Sequence, residues 1–393
     1  MKIERIDVVV TEMAGRIQRT MSSGPYDSGP DGNPMGKPVL VRIHAEGVIG
    51  YGQVRPTAPG HFVPDTVHSV VSAIRDIYGP YLIGKDVFDL DKTWTDFDLR
   101  LPFNSNARAA IDFALHDALG KALNLPVHKL IGGASQTRLP LEWSVSLAPT
   151  VEKIVADATQ AVDELGIRVV CIKAGDRRGW RQDVKHFEAV REAVGPDVVL
   201  GVDPNTGWTF SDTISAMRAM APYDLGYVEQ PVLRTDLDGL ARIRRLAEGV
   251  PIMADESLFT LQDAYALAKA EAVDVLCIKL YKTGGIRPAK KIAAVAEGAN
   301  MRLNIGGLAV QSRLEAAAGA QFLASLPAHT VMPGAEFIFG LGVQGVDPIT
   351  EENGFVIKDG HVDVPTGPGL GVIVNEDAVA ARTIVSHSIT DQA

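Results

Sequence analysis

Cysteine is nearly missing from this chain: there are two in 393 residues, Cys171 and Cys277. Two thiols so far apart build neither a disulfide framework nor a zinc-ligand cluster, so a reducing cytoplasm is the expected compartment. Long apolar runs are missing too. No stretch approaches the ~18 residues of a membrane span. The opening "MKIERIDVVV" reads as a strand, with no small-residue cleavage site of a leader. Positive charge is in deficit, with 38 Lys and Arg against 48 Asp and Glu and a formal net charge of −10. An acidic surface argues against nucleic acid or a membrane surface as partner, whereas clustered acids suit a divalent cation. The remainder is ordinary for a globular chain of about two domains with a large core, 46% hydrophobic and 22% charged.

The first 130 residues mix strand and helix. "IDVVVTEM" and "PVLVRIHAEGVIGYGQ" predict strands of an antiparallel sheet. Residues 22–38 between them, "SSGPYDSGPDGNPMGKP", read as a long surface loop. Helical periodicity follows at about 65–78 and 105–123, with Ser105 as the expected N-cap. From 139 to 332 the pattern changes. The runs "LEWSVSL", "RVVCIK", "VVLGVD", "LGYVE", "VPIMAD", "VDVLCIK", "MRLNI" and "HTVM" alternate with helical segments that include 181–195, 211–221, 236–248, 260–271, 285–299 and 310–325. Such alternation predicts an α/β fold with a parallel sheet covered by helices, and eight strands predict a closed (β/α)7β-type TIM barrel. The competing fold, an open doubly wound sheet, is disfavoured because no G-x-G-x-x-G follows an early strand. The expected division is an α+β capping domain over 1–130, a barrel over 131–340, and a C-terminal segment over 341–393 that packs back on the cap.

A repeated tripeptide gives the barrel chemical content. Cys-Ile-Lys ends the second run at Lys173 and the sixth at Lys279, 106 residues later. In an eight-stranded barrel these strands lie opposite each other, and their C-terminal ends are where barrel active sites form. Residues two apart on a strand share a face, so each lysine is expected at the mouth with its cysteine in the interior below. The cysteines are read as small buried hydrophobes. The three runs between end in "VDPN", "VEQP" and "ADES", placing Asp203, Glu229 and Asp255 on the same rim. Adjacent strands lie ~4.8 Å apart, so the three carboxylates converge and repel unless a cation sits among them. All-oxygen ligation points to Mg²⁺, with Mn²⁺ second. Asn205 and Glu256 are the expected neighbours of these ligands, and Lys282, one turn after Lys279, an electrostatic support. His329 is read as a core or rim residue.

A metal flanked by two lysines suits removal of the α-proton of a carboxylate, giving an ene-diolate whose charge the metal stabilises. Nearby cations lower a lysine pKa from ~10.4 toward the working range. One lysine on each face allows removal on one side and return on the other, which is racemisation or epimerisation. The same pair also serves β-elimination. Retention of all five groups weighs against a non-catalytic binding protein.

These residues resemble the enolase superfamily, and within it the muconate lactonizing enzyme subgroup of the mandelate racemase-like proteins. The resemblance runs through "ARAAIDFALHDALGKALNLPVHKLIGG", "KAG", "VDPN", "VEQP", "ADES", "IKLYKTGG" and "EENGFVIKDGHVDVPTGPGLG". It implies Asp203, Glu229 and Asp255 as metal ligands, Lys173 and Lys279 as the acid/base pair, an N-terminal domain capping the mouth, and a homo-oligomer. Loops 16–37 and 51–62 would hold the distal part of a small-molecule carboxylate. Some positions depart from the pattern. Cys171 stands where the second strand usually has a first lysine, Gln311 falls where a glutamate is common near the seventh strand, and Gln53 does the same in "GYGQ". The Cys-x-Lys form is similar to members acting on proline derivatives, the hydroxyproline betaine 2-epimerases and cis-3-hydroxyproline dehydratases. The expectation is a racemase or epimerase of a proline-type amino acid derivative, with a dehydratase of cis-3-hydroxyproline or acid-sugar type, or a cycloisomerase, as the alternative. Trp143, Tyr51 and Phe62 are candidate cation–π surfaces for a substrate ammonium, and Glu336 a candidate ionic partner for it. Arg16, Arg19 and Arg55 are candidates for a second anionic group.

Overall fold

The computed structural model describes residues 1–13, 18–27, 32–33, 36–56, 64–307, 312–343 and 345–391. Strand β1 (Ile3–Thr11) leads into a short hairpin of β2 (Gln18–Met21) and β3 (Gly24–Asp27), then β4 (Val39–Ala45) and β5 (Val48–Val54). β1 pairs antiparallel with β4, and β4 with β5. The hairpin departs from the sequence expectation, because the Gly/Pro-rich stretch read as a loop from residue 22 contains β3.

The helix Ser105–Leu123 is buried along almost its whole length between the capping sheet and the barrel. Ser105 is its first helical residue and not its cap; that place belongs to Asn104, which is left-handed at φ 52°. Asp112 on this helix accepts from the backbone of Ile286 at 2.6 Å and from the Trp94 ring at 3.3 Å. One carboxylate therefore ties barrel to cap.

After β6 (Arg138–Pro140) come the eight barrel strands. They are β7 (Glu142–Val145), β8 (Val169–Lys173), β9 (Val199–Asp203), β10 (Leu225–Glu229), β11 (Ile252–Ala254), β12 (Val275–Lys279), β13 (Arg302–Gly306) and β14 (Val331–Glu336). All neighbours are parallel and in chain order, and a parallel bridge between Leu141 and Ala335 closes the ring. Strand alternation sorts the residues. Val169, Cys171, Tyr227, Met253, Val275, Cys277 and Met332 pack together inside the barrel, while Val170, Ile172, Leu276 and Ile278 face the helical layer. β15 (His361–Asp363) pairs with β6, and β16 (Thr383–Thr390) returns to pair with β1. The last strand of the chain thus completes the first sheet. No helix among the described residues is long and apolar enough to cross a membrane.

Candidate active site at the barrel mouth

Lys173 and Lys279 end β8 and β12, the second and sixth barrel strands, and both are 6% exposed. Their cysteines lie below them in the interior cluster. Asp203 and Glu229 end β9 and β10, and Asp255 follows β11 directly. The Lys173 ammonium donates to Asp203. Lys279 donates to Asp255 Oδ2 at 2.6 Å. Lys282 also reaches Asp255, donating to its carbonyl at 2.5 Å and to Oδ1. The backbone N–H and side-chain amide of Asn205 each donate to Asp203 at 2.8 Å, and the same amide donates to Glu256 Oε1 at 3.1 Å.

Glu229 lies between the other two. Its carboxylate comes within 4.8 Å of the ligand atoms of both Asp203 and Asp255, and no ammonium among the described residues bonds it. Burial, with Asp203 and Asp255 beside it, pushes the Glu229 pKa well above the usual carboxylate range. Burial also lifts Asp203 to about 6 against the pull of Lys173. For Asp255 burial works in the same direction, but Lys279 and Lys282 outweigh it and hold the carboxyl low. Burial disfavours the Lys173 charge, yet Asp203, Glu336 and Glu229 outweigh it and raise its pKa; Asp255 does the same for Lys279. Three buried carboxylates with a central one that has no ammonium partner form a donor set that fits a hard divalent cation. A cation on those oxygens would replace the ammonium groups as counter-charge and release them for proton transfer.

The comparisons agree with this geometry. Residues 153–378 match the family described as "Enolase C-terminal domain-like", and residues 28–132 match "Mandelate racemase / muconate lactonizing enzyme, N-terminal domain". The chain belongs to the mandelate racemase/muconate lactonizing enzyme family. It is an enzyme of the enolase superfamily. An N-succinyl-L-Arg/Lys racemase of Bacillus cereus is 32% identical over 391 residues, covering 98% of each chain. The solved structure of the B. cereus racemase superimposes with a TM-score of 0.89 at 29% identity, over 99% of this chain and 100% of that one. A chloromuconate cycloisomerase of Pseudomonas sp. (strain P51) is 33% identical, covering 98% of this chain and 99% of its own. A hydrophobic dipeptide epimerase of Enterococcus faecalis is 33% identical, covering 83% and 88%.

Within this family frame, two candidate substrate contacts need correction and three lie outside the described residues. Tyr51 does not face the mouth. Its hydroxyl meets Glu376 at 2.5 Å and its ring lies 4.4 Å from the Lys121 ammonium, so it joins the cap to the C-terminal segment. Trp143 faces outward, donating to Asp157 on the helix Val151–Asp163 at 3.0 Å. Phe62 and Gln311 lie outside the described residues, as does Arg16. Glu336 ends β14 and is near enough to Lys173 to raise its pKa. Lys282, Glu256 and Asn205 are buried at the site.

The structure adds Gln230 and Glu142, which sequence reasoning missed, and gives Arg19 and Arg55, read as candidates for a second anionic group, protein partners instead. Gln230 follows Glu229 at φ 32°, and its side-chain oxygen accepts from the backbone of both Asp255 and Ser257 at 3.0 Å. It fixes the loop that carries one candidate ligand. Arg19 is not solvated: its guanidinium donates to the Ser144 carbonyl at 2.5 Å and Ser146 Oγ at 3.1 Å, 3.9 Å from Glu336. Arg55 is likewise buried, donating to the Gly36 carbonyl at 2.7 Å. Glu142, one residue before Trp143, points into the barrel beneath the lysines and accepts from Asn304 at 3.2 Å.

Proposed function

We propose that the chain is a racemase or epimerase that moves the α-proton of a small amino-acid-derived carboxylate between two faces, with Lys173 and Lys279 as the acid/base pair. The observation that carries this reading is the placement of both ammonium groups at the mouth on opposite strands, each against a carboxylate of one acidic cluster. Asp203, Glu229 and Asp255 would hold Mg²⁺, which supplies positive charge against the charge developing on the substrate carboxylate. Lys173 takes or returns the proton on one face and Lys279 on the other. Lys282 keeps Asp255 ionised, and Asn205 orients Asp203. Burial of the mouth keeps water from competing for the proton.

The relatives support an amino acid derivative with an acylated or peptide-linked nitrogen. One is named for N-succinyl-Arg/Lys racemisation and another for dipeptide epimerisation. Proline-type derivatives remain in the same chemical class. The cycloisomerase reading is second, favoured by the match to chloromuconate cycloisomerase, and it needs only one of the lysines, to protonate the α-carbon of the enolate left by ring closure.

The test is ¹H NMR of the Mg²⁺-supplied protein in D₂O with N-acylated amino acids, dipeptides, proline and hydroxyproline derivatives, and muconates. Loss of one α-proton with growth of the other epimer supports the proposal. Lactone signals from a muconate, without α-proton exchange elsewhere, replace it with the cycloisomerase reading. Vinyl or ketone-derived signals replace it with the dehydratase.

A further inference from the structure

The tip of the β2–β3 hairpin comes from the capping domain, yet it bonds the loop that carries a proposed metal ligand. Ser22 Oγ donates to the Asn205 carbonyl at 3.0 Å. The tip reaches this point through a notch made by two glycines. A Cβ added at either Gly175 or Gly207 would lie 2.7 Å from the Ser22 Cβ, closer than two carbons can approach. The notch walls are fixed from behind. Asp183 accepts from the backbone of Gly175 at 3.0 Å and Asp176 at 3.1 Å, and from the Trp208 ring at 2.9 Å. Further bonds hold the hairpin to the barrel, from Leu147 N–H to the Thr20 carbonyl at 3.0 Å and from Arg19 to Ser144 and Ser146.

Asn205 is the residue that orients Asp203, and the backbone of Asn205 and of Thr206 after it is left-handed. Asn205 and Thr206 have φ of 45° and 64°; asparagine enters this region readily, but a β-branched threonine does so only where its surroundings impose it. Thr206 N–H is held by the Gln230 carbonyl at 2.8 Å, and the Asn205 carbonyl by Ser22. Together these set the peptide plane between the two residues. That plane in turn sets the direction of the Asn205 amide, which bonds both Asp203 and Glu256.

We propose that Ser22 is a positioning residue for Asp203: seated between Gly175 and Gly207, it holds the Asn205 turn and so couples the capping hairpin to divalent-cation binding. The inference rests on the metal reading above. Binding linkage is reciprocal, so cation binding also steadies the hairpin.

The experiment is titration calorimetry of Mg²⁺ into the full-length wild type, Ser22→Ala, Ser22→Leu and the neighbouring control Ser23→Ala. Ser22→Ala keeps the Cβ in the notch and removes only the hydroxyl; Ser22→Leu cannot seat. The expected result is about five-fold weaker Mg²⁺ binding for Ser22→Ala, the effect of one hydrogen bond. Ser22→Leu is expected to bind more weakly still, and Ser23→Ala to match wild type. Hydrogen exchange gives the reciprocal readout: Mg²⁺ slows exchange at Leu147 N–H in wild type and less so in Ser22→Ala. A lower thermal midpoint in EDTA with Mg²⁺ affinity within about two-fold of wild type in both Ser22 variants would mean a merely structural role and overturn the proposal. If the wild type itself takes up no Mg²⁺, the metal reading falls and this proposal with it. Equal binding by all four proteins removes this proposal alone.

Discussion

Replacing Glu142 by glutamine should change how stability depends on pH. Glu142 is 3% exposed inside the barrel, and burial, then the negative charge of Glu336, push its carboxyl from 4.5 to about 8. A carboxyl that is a weaker acid in the folded chain binds its proton more tightly there than in the unfolded chain. Its contribution to stability is therefore complete below about pH 4.5 and is lost as pH rises through about 8. From pH 5, where the comparison begins, to about pH 8 the loss is on the order of 4 kcal/mol. With unfolding entropies typical of globular chains, that is a midpoint change of about 5 °C for a protein of this size. Glu142→Gln keeps an oxygen for Asn304 but has no proton to lose. Midpoints of both proteins would be followed in EDTA from pH 5 to pH 9. The variant should gain on wild type as pH rises, by about 5 °C across the window. Asp203 and Glu229 add a dependence of the same sign in both proteins, so the comparison isolates Glu142. Parallel curves would refute the assignment of a neutral carboxyl beneath the lysines.

Two further outcomes follow from the same geometry. Mg²⁺ competes with protons for Asp203, lifted to about 6, and for the raised Glu229, so the stabilisation at fixed Mg²⁺ should grow from pH 5 to pH 8, reaching about 2.7 kcal/mol at a hundred times Kd. A gain that is flat across pH, measured against EDTA, contradicts the proposed ligand set. Gly306 pairs with Lys279, and a Cβ there would lie 2.5 Å from Lys279 Cε. Gly306→Ala should therefore displace the ammonium and lower kcat about 100-fold while Mg²⁺ binding persists; an unchanged kcat in steady-state assays would show that the position of Lys279 is not critical.

Much of the barrel was legible because its signals are local. Eight apolar runs at regular spacing give the strands, and period-two alternation places Cys171 and Cys277 beneath their lysines. The carboxylates were legible because three successive strands end in acids. Lys282 was legible from spacing alone, since the short helical turn Leu280–Thr283 brings it back to Asp255. The misplaced residues have physical reasons. The alternation that puts Glu142 and Ser144 inside sends Trp143 outside, so that correction was available in the sequence. Tyr51 is different: it shares β5 with residues that face the helix Ser105–Leu123, and nothing local says which sheet face meets the mouth. Arg19 was named as a candidate for a second anionic group, but its actual role was hidden because its partner Ser146 is 127 residues away and the segment's composition reads as loop. Gln230 bonds across to Asp255, a contact made only once the strands are side by side.

The central claim is two-base proton transfer, and the most direct measurement is deuterium incorporation from D₂O into each enantiomer of the substrate by Lys173→Ala and Lys279→Ala. The account predicts that both variants lose racemisation by about 10²–10⁴-fold. Each should still exchange the α-proton of one enantiomer only, and the two variants should exchange opposite enantiomers. If either variant still interconverts the enantiomers at the wild-type rate, or if both exchange the same one, the assignment of Lys173 and Lys279 to opposite faces is contradicted.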